Sequence, residues 1–156
     1  MARALVVGVA AAALSCGLTS RDFDVAQPFQ AGGGPPGFTQ TFDSAQLLAP
    51  LSADVSAVSS ITLTAARLES TDGGDISFIS AASISVSGNA LPDALLATLP
   101  SPPAAGVTSV QLQINPKELK PYLLQGGLVT ASISYAPTPV TARTLKLTLT
   151  LHGSLL

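Results

Sequence analysis

The 156-residue chain has no Trp, one His, one Cys, one Met, two Tyr and five Phe. A lone His and a lone Cys leave too few ligands for a structural zinc site, no partner for an intrachain disulfide and no reserve for a Cys–His catalytic pair. Charge is scarce too: Asp, Glu, Lys and Arg make up 10% of residues, against about 25% in ordinary soluble domains. With seven Lys and Arg and a net charge of −2, the chain has no basic patch to neutralise a phosphate backbone, which excludes nucleic acid as a partner. Apolar and hydroxylic residues fill the gap, with 47% hydrophobic residues, 18 Ser and 14 Thr. That mix favours β-structure with a neutral surface, and the length corresponds to about one domain.

Arg3 precedes an apolar run from Ala4 to Leu14, followed by Ser15 and Cys16. A membrane-spanning helix needs ~20 apolar residues, so this run fits the h-region of a signal peptide over residues 1–15. Ala13-Leu14-Ser15-Cys16 resembles the lipobox of bacterial lipoproteins, with Ser15 and Cys16 matching its last two positions. The resemblance implies a mature chain that starts at an acylated Cys16 and is held on a membrane by its lipids. Gly17 after the Cys points to the outer membrane. The alternatives are an ordinary signal peptide cut at a nearby small residue and a cytosolic chain with a chance apolar start.

Residues 16–38 are expected to form the lipidated N-terminus and a Gly/Pro-rich tether, because Ala31-Gly32-Gly33-Gly34-Pro35-Pro36-Gly37 loses much entropy on ordering. Phe23 and Phe29 mark part of residues 22–30 as a candidate edge strand. Residues 39–156 show short alternating runs bounded by Gly, Pro, Asn and Asp. Ile61, Leu63 and Ala65 alternate with Thr, and a bulge near Ala65-Ala66 brings Leu68 back to the apolar face. Ile84 and Val86, then Val110, Leu112 and Ile114, then Val129, Ala131, Ile133 and Tyr135 repeat the pattern. The clearest strand is Leu145, Leu147, Leu149 and Leu151, alternating with Lys146, Thr148, Thr150 and His152.

Only a short turn is expected within 46–58, which contains Pro50. A one-turn helix is expected after Asn115, with Pro116 at its first position and Pro121 ending it. Without βαβ spacing, the expected fold is all-β: an antiparallel sandwich of about seven to eight strands, Greek-key or Ig-like.

The order of Asp75-Ile76-Ser77-Phe78-Ile79, Ala90-Leu91-Pro92, Leu96-Ala97, Glu118-Leu119-Lys120-Pro121-Tyr122-Leu123 and a long final strand resembles uncharacterised lipoproteins of Gram-negative bacteria. The resemblance spans roughly residues 58–156. It implies a C-terminal antiparallel β-sandwich on a lipid anchor, and no activity.

Any Ser–His or metal mechanism must use His152, which by parity lies outside the core, and no Gly-x-Ser-x-Gly elbow presents a nucleophile. Asp72, Asp75, Asp93 and Glu118 are the candidate acids for paired-carboxylate hydrolysis. All four sit at turns or at the expected helix start, where such residues serve as caps. Asp72-Gly73-Gly74-Asp75 offers two carboxylates to Ca²⁺, and only Asp22 and Asp24, brought in by the fold, could extend that set. The Gly32–Gly37 stretch lacks the Lys and following helix of a phosphate loop.

No catalytic residue, metal or cofactor is therefore assigned. The expected function is that of a non-catalytic, lipid-anchored envelope protein, a structural or assembly component with the membrane and an envelope protein as partners. The alternative is a glycan- or protein-recognition module, for which Tyr122, Tyr135, Phe78 and the N-terminal Phe residues would have to be exposed.

Overall fold

Leu145, Leu147, Leu149 and Leu151 are all buried while the residues between them are not, so the period-two reading of this strand holds. The computed structural model describes residues 20–156; the expected signal peptide (1–15) and Cys16 lie outside the described residues. Nine strands form. They are β1 (Ser20–Ala31), β2 (Gly37–Phe42), β3 (Val58–Ser70), β4 (Ile79–Ser87), β5 (Ala94–Thr98), β6 (Ser109–Gln111), β7 (Gln113–Ile114), β8 (Leu128–Tyr135) and β9 (Arg143–Leu155).

Two antiparallel sheets pack face to face, one in the order β1-β9-β3-β6 and the other β2-β8-β4-β5-β7. The first and last strands are neighbours, and the chain repeatedly crosses between sheets. Of the expected topologies this is the Greek-key one, in its jelly-roll form of eight strands, with β7 as a short addition. The ninth strand arises because the run Val110 to Ile114 changes sheet. β6 pairs with β3, buried Leu112 turns the corner, and β7 pairs with β5.

The expected tether is largely strand. β1 runs in unbroken register with β9 from Ser20↔Ser154 to Ala31↔Arg143, as the edge strand that Phe23 and Phe29 hinted at. Both rings are buried, and Phe29 stacks on Phe38 of β2 with centroids 4.1 Å apart, closing one side of the sandwich. The sandwich therefore includes residues from Ser20 onward, and within residues 20–38 irregular backbone is confined to residues 32–36. Gly32 is needed there: its φ of +111° and the carbonyl of Pro139, 2.8 Å from where a Cβ would sit, leave no room for a side chain.

Helices differ from expectation in place. Ser44–Leu48 is an α-helix (α1) with a capping box: the Asp43 carboxylate accepts from the Gln46 amide at 2.8 Å, and the Gln46 side chain accepts from the Asp43 amide at 3.0 Å. This box buries Leu47 and Leu48 against the sheets. The turn expected after Asn115 is absent. Helix α2 is Lys120–Leu123, with Pro121 in its first turn, where a missing N–H costs nothing, so Pro121 helps to start the helix that it was expected to end. The β3 bulge falls between Leu63 and Ala65, and Ile61, Leu63, Ala66 and Leu68 are all buried as the phase slip requires.

Candidate functional site

His152 stands on the outer face of β9, about two-fifths exposed, as its parity requires. It is not without an orienting group. Asp22 lies directly opposite on β1, with its Oδ1 2.7 Å from the His152 Nδ1. A partner 130 residues away in sequence becomes a neighbour only through the pairing of β1 with β9; of the nearest acids in sequence, Glu118 sits one strand beyond Thr62, bridged to it, with its carboxylate on the Ile61 amide. On the other flank the register places Thr62 of β3 opposite His152. The three form a row of carboxylate, imidazole and hydroxyl on an open sheet surface. Two positions along, the Thr150 hydroxyl donates to Asp24 at 2.7 Å. None of these residues lines the depressions described below, and the row stands on an open sheet face.

Three of the four remaining candidate acids hold backbone. Asp72 accepts from the Ser70 hydroxyl, from the Gly74 amide at 3.0 Å and from the Thr144 amide at 3.2 Å. Asp75 accepts from the Ser77 amide at 2.7 Å and the Ser77 hydroxyl at 3.0 Å. Glu118 accepts from the Ile61 amide at 2.8 Å and the Lys120 amide at 3.0 Å. Asp93 is exposed in the loop before β5. Asp22 and Asp24 do not approach the Asp72–Asp75 turn, which meets β9 at Thr144, six or more residues from Thr150 and His152. Among the described residues, no three His, Cys, Asp or Glu gather as metal ligands.

The bonds to Asp72, the one from the Ser70 hydroxyl foremost, hold its carboxyl at about 2, below the ordinary 3.8. A carboxyl depressed in the folded state stabilises above its unfolded value, and that contribution disappears as pH falls through the folded one. The melting-temperature gap between wild type and Asp72→Asn is therefore expected to be constant above about pH 5 and to close between about pH 4 and 2. A gap that stays constant down to pH 2 would show that the carboxylate charge is irrelevant to this turn.

Two surface depressions lie beside candidate residues. One, about 360 Å³, lies between the Asp75–Phe78 turn and the Pro137–Thr141 loop beside Arg143. The other, about 420 Å³, is lined by Leu91, Pro92, Pro116, Lys117, Glu118, Pro121 and Tyr122. Tyr122 is buried and its hydroxyl donates to the Pro92 carbonyl at 3.0 Å, while Lys117 sits 5.9 Å from the ring centroid. Tyr135 is also buried. Its hydroxyl has no hydrogen-bond partner among the described residues, burial pushes its pKa up to about 12, and Phe78 meets its ring edge-on. Phe23, Phe29 and Phe42 are buried as well, so the aromatic rings serve the core.

The broadest chemical feature is a partition of charge between the sheets. β2, β4, β5, β7 and β8 contain no Asp, Glu, Lys, Arg or His. Every charged residue in a described strand belongs to the four-stranded sheet, where Glu69 takes Arg67 at 2.7 Å and Lys146 at 2.6 Å. The Lys146 hydrogen bond, ahead of other causes, lowers the pKa of Glu69. On the neutral sheet the register lines up hydroxyls across strands. Thr39 faces Ser132, which faces Ser83, which faces Thr98, and beside that row Thr41 faces Thr130, which faces Ser85.

No family model and no curated protein matches the chain. Among solved structures, one of turnip yellow mosaic virus is similar at 13% identity over 98% of this chain and 90% of that one, with a TM-score of 0.37. One of Desmodium yellow mottle tymovirus is similar at 10% identity over 93% and 95%, with a TM-score of 0.29. Scores this low carry no weight for function.

Proposed function

We propose that the chain is a non-catalytic, lipid-anchored protein of the bacterial cell envelope, exported and held by acyl chains on Cys16, most simply in the outer membrane. It acts as a structural or assembly component. The observation that carries the second part is the charge partition: an uncharged, hydroxyl-lined sheet meets a protein partner without desolvating charge. The acids that hydrolysis would need support it too, since Asp72, Asp75 and Glu118 are engaged by backbone amides. Recognition of glycans through exposed rings has less support, because Tyr122 and Tyr135 lie in the core.

Palmitate labelling of cells expressing wild type or Cys16→Ala tests the anchor. Label on wild type alone, with Cys16 as the mature N-terminus, is the expected result, and equal labelling of the two overturns it. Crosslinking on whole cells tests the assembly role and is expected to capture one dominant envelope protein through the neutral sheet. Capture through the charged sheet instead would overturn that assignment.

A further inference from the structure

Each sheet has two edges, and an unprotected edge is a template for another strand. β6 and β7 are three and two residues long, too short to hold a partner strand. β1 is long but defended: Pro28 lacks a donor, and Asp22 and Asp24 stand on its outer face. β2 has none of these devices. Its six residues, Gly37-Phe38-Thr39-Gln40-Thr41-Phe42, contain no charge and no Pro, and its register with β8 has no bulge.

We propose that β2 pairs antiparallel with β2 of a second copy of this chain, about a two-fold axis through Gln40. The register follows from side-chain alternation. Phe38, Gln40 and Phe42 lie opposite Ile133, Ala131 and Val129 of β8 on the core face, and Thr39 and Thr41 lie on the outer face. A pairing that keeps the faces aligned and is symmetric over the strand sets Gln40 against the partner's Gln40. Phe38 then meets the partner's Phe42, and Thr39 meets the partner's Thr41. Both are favourable cross-strand combinations. Phe38, only partly buried in one copy, gains cover, and the two five-stranded sheets become one sheet whose strands carry no charge. Pro28 and the outward acids keep the charged sheets from joining in the same way. This inference goes beyond the envelope reading and does not depend on the anchor.

The test uses the full chain in detergent, with Cys16→Ser throughout so that an introduced thiol is the only one. Sedimentation is expected to give twice the mass of one chain. Gln40→Lys puts like charges opposite each other at the axis and is expected to halve that mass while the cooperative thermal melt persists, at a lower temperature because the pairing no longer stabilises the fold. In an independent arm, oxidised Gln40→Cys is expected to form a covalent dimer and Ala26→Cys, on the β1 edge, none. A parent of single-chain mass, a folded Gln40→Lys that still dimerises, or crosslinking at Ala26→Cys but not at Gln40→Cys overturns the proposal.

Discussion

Leu149→Ala is expected to cost about 2–5 kcal/mol of unfolding free energy, among the largest losses available to a single truncation in this chain. Leu149 is fully buried, and its strand is flanked on both sides, with Val25 opposite on β1 and Ala66 opposite on β3. Neighbours pinned by two ladders cannot collapse into the space that the side chain leaves, so the cavity term adds to the lost transfer energy. Thr148→Ala, one residue away on the outer face, is expected to stay within about 0.5–1 kcal/mol. Denaturant melts of the two variants check this, and comparable losses at both sites would contradict the parity of β9.

Glu118→Ala is expected to cost about 1–3 kcal/mol, a large effect for a residue that is only partly buried. β6 pairs with β3 only over Arg67 to Glu69, and further back along β3 the segment carrying Glu118 takes over through a single bridge at Thr62. There the Glu118 carboxylate stands in for a strand carbonyl. It accepts from the Ile61 amide, while the Leu119 amide donates to the Ile61 carbonyl at 2.8 Å. Truncation leaves the Ile61 and Lys120 amides without that acceptor. Glu118→Gln keeps an oxygen in place and is expected to lose less than half as much in urea melts. Equal losses for the two variants would show that the oxygen is not what holds this edge.

The core strands were legible because their alternation is local. Ile84 and Val86, Val129 to Tyr135 and Leu145 to Leu151 each show their buried face within a few residues, and a turn signal ends each run. β1 was harder to read, since Asp22, Asp24 and Pro28 lower strand propensity and are tolerated here because the strand is an edge. Helix α1 carries a readable signal, Asp43 three residues before Gln46, which the helix-breaking Pro50 close behind it offsets. The bend at Leu112 left none: a strand that changes sheets keeps its period. The pairing of His152 with Asp22 and the partition of charge between sheets depend on strand order, and no local pattern encodes which strands become neighbours.

The position of β9 also sets an order of events during synthesis. It lies between β1 and β3, so β1 has no neighbour in the four-stranded sheet until residues 143–155 have been made. β1, more than a hundred residues earlier, waits without its ladder through nearly all of translation. Contacts this distant in sequence form slowly, because a long loop must close before any pairing rewards it. The five-stranded sheet has all its strands by Tyr135, so the sandwich gains its second face only when the last long strand is made.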